Sequence, residues 1–171
     1  LARLRRAKRP LLLVGVEVRR YGLEARVAEL ALRLGVPVAT TVMGRGLLAN
    51  TDAPLRGTYL GLAGDPQLSA EVETSDGLFL LGVILSDTNF AVSAKRIDVR
   101  HAIQALDGRV VMGHHHYPDV PLAMLVDRLL DRLPAARAAR KTGKRAAPPK
   151  AVPTPDAAAI RPADIAAAVN E

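Results

Sequence analysis

Apolar positions along residues 8–134 alternate between short continuous runs and stripes with a helical period. Such alternation marks α/β architecture, because strands covered on both faces read as unbroken apolar runs. Pro10 opens the first run, Leu11 to Val16, with Gly15 marking its end. Leu23, Val27, Leu30 and Leu34 then recur at i, i+4, i+7 and i+11, one stripe of an amphipathic helix stopped by Gly35 and Val36-Pro37. Val38 to Val42 is short and β-branched and predicts a second strand. It leads into Met43-Gly44-Arg45-Gly46, a glycine-bearing loop at a strand's carboxyl end, where such sheets place their ligand clefts.

From Leu47 to Gln67 the pattern is irregular and rich in Gly and Pro, which predicts a long loop of functional or interface character. Leu68 to Glu73 predicts a short helix, and Leu78 to Leu85 a further apolar strand. Arg96 to Leu106 and Arg109 to Met112 predict two more strands. Leu122, Leu125, Val126, Leu129, Leu130 and Leu133 form the stripe of a closing helix ended by Pro134. Together these elements predict a three-layer, Rossmann-like α/β domain over residues 8–134, with a mainly parallel sheet flanked by helices. Residues 1–7 read as a basic flank and 135–159 as an Ala/Pro/basic linker. At 160–171, Ile160-Arg161-Pro162 opens another helix whose stripe has only begun with Ile165 and Val169. A helix of about ten residues with half a stripe does not stand alone in water, so a following domain is expected to begin there. With Leu1 in place of Met, the chain is expected to be an excised piece of a longer protein.

Composition narrows the chemistry. The chain has no cysteine, which excludes disulfides, thiolate catalysis and Cys-based metal sites and fits a cytoplasmic protein. No apolar run approaches the roughly 18 residues of a membrane span, so a soluble chain is expected. The formal net charge of +7 suggests nucleic acid at first sight. Its distribution argues otherwise: Arg3, Arg5, Arg6, Lys8 and Arg9 crowd one flank, and Arg137, Arg140, Lys141, Lys144, Arg145 and Lys150 the other. Acids slightly outnumber bases between them. Flanks of this kind are solvated tails, and no aromatic-basic recognition motif accompanies them, so neither nucleic acid nor membrane is expected as a partner.

The turn after the first strand, Gly15-Val16-Glu17-Val18-Arg19-Arg20-Tyr21-Gly22, is not a dinucleotide fingerprint, and Glu17 stands where anionic phosphates would pass. The carboxyl-end residues Thr40, Thr41, Met43, Gly44, Gly82 and Asp87 are the candidates for a ligand cleft, although turn formation and capping account for them equally well. His114-His115-His116 invites a metal reading. In an extended segment His114 and His116 share a face without His115, and the nearest acid, Asp119, lies beyond Tyr117-Pro118, so no metal site is assigned. Asp98, Asp107 and Asp119 are scattered over predicted strands and turns, and no catalytic residue is assigned.

An ordered series of short motifs adds a family resemblance. Arg9-Pro10, Leu34-Gly35-Val36-Pro37-Val38 with Thr40-Thr41, and Met43-Gly44-Arg45-Gly46 come first. Tyr59-Leu60-Gly61, Pro66, Val72-Glu73 with Ser75-Asp76, then Gly82 and Leu85-Ser86-Asp87-Thr88-Asn89 follow. In this order and spacing, residues 8–134 resemble the central domain of thiamine diphosphate-dependent 2-keto acid decarboxylases, of the pyruvate and the indolepyruvate or phenylpyruvate type. The Ile160 to Asn170 segment resembles the entry into the following diphosphate-binding domain. The resemblance implies a parent of three α/β domains, assembled as a dimer or tetramer, with thiamine diphosphate and Mg2+ held by the first and third domains. Its paired catalytic histidines lie in the first domain and are not His114 to His116. A fragment of this kind is expected to be inactive alone. Its partners would be the other two domains and further copies, and its role would be structural, open to regulation through a noncovalent effector cleft. Related middle domains bind FAD in acetolactate synthases or ADP in some acyl-CoA lyases, and an NAD-binding module is a further alternative. The segment Tyr59 to Pro66 lacks the Gly-Met-x-Gly-x-x-Gly style stretch that packs on flavin, and without cysteine the thiol route to substrate activation is closed.

Overall fold

Every residue of Leu11 to Val14 is buried, which requires a strand covered on both faces. In the computed structural model, which describes residues 1–86 and 96–135, this strand, Pro10–Val14 (β1), lies inside the sheet. It pairs in parallel with Val38–Thr41 (β2) on one side and Gly77–Leu81 (β4) on the other. Leu55–Tyr59 (β3) pairs in parallel outside β2, and Ile103–Leu106 (β5) outside β4. Arg109–Met112 (β6) and His115–Pro118 (β7) continue the sheet antiparallel, giving the order β3-β2-β1-β4-β5-β6-β7. The helices are Ala2–Arg6 (α1), Glu17–Arg20 (α2), Glu24–Leu34 (α3), Pro66–Glu73 (α4) and Leu122–Asp131 (α5).

Alternation along β1 builds the three layers, because successive side chains point to opposite faces. Leu12 and Val14 join a core with Val27 and Leu30 of α3 and Leu122 and Val126 of α5. Leu11 and Leu13 join a second core with Leu68 and Val72 of α4, Ile97 and Ala102. The expected three-layer, mainly parallel α/β domain is therefore present. α3 ends as its pattern predicts, with Gly35 at φ 66° and its N–H bonded to Ala31 O. Asp65 caps α4 by accepting the Leu68 N–H at 2.7 Å, and Pro66 occupies the first turn. The described residues belong to one compact unit, Leu1–Ala139; a second, Arg140–Glu171, lies outside them, as do the expected 160–171 helix and all but the first residue of the expected linker. No helix among the described residues is long and apolar enough to cross a membrane.

Several expected elements are corrected. The irregular 47–67 stretch contains β3, a 3-10 turn at Gly61–Ala63 and the start of α4. β3 carries little apolar signal because it is an edge strand with Tyr59 as its one buried residue. Within the basic flank, α1 buries Leu4, its one buried residue, in the first core. The strand expected over 78–85 ends at Leu81, where Gly82 turns the chain with φ +64°. Of the strand expected over 96–106, only Ile103–Leu106 pairs. Before it, Asp98 accepts the Arg100 N–H and bonds His101 Nδ1, which folds the chain into turns.

The motif residues Arg9 and Ser75-Asp76 prove to be a clasp between the entries to β1 and β4. Asp76 accepts the backbone N–H groups of Lys8 and Arg9 at 2.9 and 2.8 Å, and Ser75 Oγ donates to Arg9 O. The Lys8 bond first, and the Arg9 bond next, hold the Asp76 carboxyl below its ordinary range. A group with a depressed folded-state pKa stabilises above its unfolded value and loses that contribution as pH falls through the folded one. Asp76→Ala is therefore expected to melt below the parent chain at neutral pH, with the gap closing below about pH 4. Circular dichroism melts over a pH series check this; a gap independent of pH would assign the loss to packing.

Candidate functional site

Strand addition reverses direction at β1, with β2 and β3 laid down on one side and β4 and β5 on the other. In open α/β sheets the ligand crevice lies outside the carboxyl ends of the strands flanking such a reversal. Gly15 and Gly82 follow β1 and β4 directly, and their backbones touch. Gly15 N–H donates to Leu81 O at 2.9 Å, and a Cβ on Gly15 would fall 2.1 Å from Gly82 O and 2.5 Å from Val83 Cα. A Cβ on Gly82 would meet Glu17 Cβ and Val18 N, both at 3.1 Å. α2 then crosses the strand ends, its Glu17 N–H donating to Gly82 O at 3.2 Å. The Glu17 side chain is 12% exposed. It accepts the Asp107 N–H at 2.9 Å from the β5–β6 turn and lies 3.9 Å from the Arg20 guanidinium. Asp107 in turn accepts the Leu122 N–H at the start of α5, at 2.9 Å. The Asp107 carboxylate beside Tyr21, through hydrogen bonding first and with desolvation second, raises the phenol above its ordinary pKa.

The candidates Thr41 and Gly44 gather on the other side of β1. Gly44 N–H bonds the backbone oxygen and the hydroxyl of Thr41 at 3.0 and 3.3 Å. A Cβ on Gly44 would fall 2.8 Å from Val14 O. Thr40 faces the neighbouring strand, its hydroxyl 3.1 Å from that of Thr58. Both threonines are buried, while Met43 is exposed on the loop. Gly82 lies beside Glu17 as described, and Asp87 falls outside the described residues. The threonine hydroxyls thus hold the framework together. The open grooves lie elsewhere. One, of about 530 Å³, is lined by residues such as Arg3, Arg6, Asp76 and Ile103 at the amino end of the sheet. Another, of about 290 Å³, runs between β3 and α4.

The family described as thiamine pyrophosphate enzyme, central domain, matches residues 1–133. The chain belongs to this family. It is 59% identical to an indole-3-pyruvate decarboxylase of Azospirillum brasilense over all of its own length and 31% of that protein's. A pyruvate decarboxylase of Aspergillus terreus is 28% identical over 76% of the chain and 23% of the relative. A thiamine metabolism regulatory protein of Saccharomyces cerevisiae is 23% identical over 88% of the chain and 24% of the relative. The chain spans less than a third of these relatives.

The cradle that thiamine pyrophosphate needs is not formed by the described residues of this central domain. A pyrophosphate requires converging N–H donors or a metal ion. The crevice instead presents the Glu17 carboxylate over backbone already in contact. No group of three His, Cys, Asp or Glu side chains able to hold a metal ion occurs among the described residues. His114 sits with Gly113 in the turn joining β6 and β7, while His115 and His116 alternate along the exposed β7. The extended segment expected to align His114 with His116 is therefore a hairpin turn followed by a strand.

Two groupings escape a reading of local pattern. Asp107 joins Glu17 and Leu122 from distant parts of the chain. On the opposite face, Tyr59 donates its hydroxyl to Glu73 at 3.2 Å, and Arg96 meets the same carboxylate at 3.6 Å. Burial first, then the Glu73 charge, raises the Tyr59 phenol well above its ordinary pKa. Tyr59 and Glu73 both belong to the motif series, which was the available signal; nothing in their spacing states that they meet.

Proposed function

We propose that this chain is the structural central domain of a thiamine diphosphate-dependent 2-keto acid decarboxylase. The parent would convert an aromatic 2-keto acid, such as indolepyruvate or phenylpyruvate, to an aldehyde and carbon dioxide. The observation that carries this reading is the 59% identity to an indole-3-pyruvate decarboxylase along the whole chain. In this reading thiamine diphosphate and Mg2+ are held by the other two domains, and this domain sets the spacing between them. It also contributes to contacts between copies, for which the exposed Leu55, Leu60 and Leu62 beside β3 are suited. The rival reading, a FAD, ADP or NAD module, is opposed by the closed Gly15–Gly82 floor and the Glu17 carboxylate.

A domain exchange tests the proposal. This chain replaces the matching third of the Azospirillum brasilense enzyme, and decarboxylation of indolepyruvate, phenylpyruvate and pyruvate is followed with the cofactors supplied. The hybrid is expected to be active and the chain alone inactive. A hybrid that folds and assembles without activity would overturn the reading. In parallel, the chain is melted with FAD, ADP, NAD and thiamine diphosphate with Mg2+. A true ligand at about 100 times its Kd adds roughly 2.7 kcal/mol, a shift of several degrees at this size. No shift is expected with any of them, and a clear one with FAD, ADP or NAD would favour the nucleotide module.

A further inference from the structure

A carboxylate taken out of water is retained where donors meet it. Among the described residues Glu17 is the one charged side chain that is buried. Its surroundings are those of a bound anion. The Asp107 N–H points at one oxygen from 2.9 Å, and the Arg20 guanidinium stands 3.9 Å from the other on the solvent side. The peptide of Glu17 is itself tied to Gly82 O. Asp107 is fixed in turn by the Leu122 N–H, so the donor cannot swing away without freeing the start of α5. All of this sits at the carboxyl ends of β1 and β4, the place where a sheet of this topology receives a ligand.

We infer that this crevice is a carboxylate-binding site whose resident anion is the chain's own Glu17. A tethered anion meets its donors at an effective concentration that does not depend on any ligand in solution. The crevice therefore keeps the geometry of an occupied site without any metabolite: the Glu17 carboxylate ties the β5–β6 turn to the end of β1, the Glu17 N–H ties it to Gly82 after β4, and the Asp107 carboxylate carries the link to the start of α5. The inference rests on the fold and not on the substrate assigned above.

Glu17→Ala empties the site and leaves the Asp107 N–H without its acceptor. Its melting midpoint is expected to fall on the order of 5 °C. Formate or acetate should restore much of that loss in a saturable way, whereas chloride at equal ionic strength should not, and the parent chain should respond to neither selectively. In the Glu17→Ala chain, formate should also shift the Asp107 amide resonance. If Glu17→Ala does not fold alone, formate is expected to raise its folded fraction on refolding. Glu17→Gln keeps an oxygen for Asp107 but removes the charge, and should melt below the parent with no response to formate. Equal effects of formate and chloride on Glu17→Ala would overturn the inference. So would a Glu17→Gln chain as stable as the parent, because the charge would then be dispensable.

Discussion

Gly15→Ala is expected to destabilise the domain by more than about 3 kcal/mol, an unusually large effect for adding one methyl group. The added carbon would fall 2.1 Å from Gly82 O and 2.5 Å from Val83 Cα, both backbone atoms. A flexible side chain could turn aside from such a contact, but these atoms cannot. Gly15 N–H is bonded to Leu81 O and Gly82 N–H to Ala105 O, so parting the two segments strains the ends of three neighbouring strands. Gly22→Ala is the control. Gly22 has φ +62° and nothing within 4 Å of its Cβ position, so it should cost only the left-handed backbone penalty of roughly 1–2 kcal/mol. Urea denaturation of both variants separates close approach from backbone strain. Equal losses would mean that the crevice floor yields more easily than the contact implies. In the hybrid enzyme, Gly15→Ala should also lower activity if the domain has the proposed role of setting the spacing between the other two, since it would be deformed.

The elements legible in the sequence are those whose burial is one-sided or complete. β1 announces itself because Leu11 to Val14 are all buried, and α3 because Leu23, Val27 and Leu30 share one buried stripe before a glycine cap. β3 was hidden for the opposite reason. Arg56 and Leu55 are exposed, Gly57 has φ +149°, and the strand is held by pairing with β2 more than by its own apolar residues. Ile97 and Val99 supply alternation without a strand, because Asp98 bonds the backbone N–H two residues ahead and turns the chain. The site divides in the same way. That a carboxylate, Glu17, stands just after β1 could be read from the sequence. That its carboxylate meets Asp107, 90 residues away, depends on the antiparallel turn added beyond β5. The motif residues Arg9 and Asp76 were legible as a pattern, while their meeting in a clasp required the pairing of β1 with β4.

Leu13→Ala is expected to cost about 2–5 kcal/mol and to lower the melting midpoint on the order of 10 °C. Leu13 is fully buried in β1, level with Ala39 of β2 and Leu80 of β4, and it faces the core shared with α4. The neighbours that would have to close the cavity are held on both sides by backbone ladders, and Ala39 is too small to fill it. Relaxation is therefore restricted, which places the expected loss in the upper part of the range. Leu62, 58% exposed beyond β3, is the comparison: its replacement by alanine should stay within about 0.5 kcal/mol in the isolated chain. In the hybrid enzyme the order should reverse for assembly. If Leu62 lies at a contact between copies, Leu62→Ala should weaken association while leaving the fold intact, and Leu13→Ala should lower stability before it alters assembly. Denaturant midpoints of the chain, set beside sedimentation of the hybrid, measure the two effects separately. An unchanged denaturant slope for Leu13→Ala would show that the loss is one of packing, with the unfolded state unaltered.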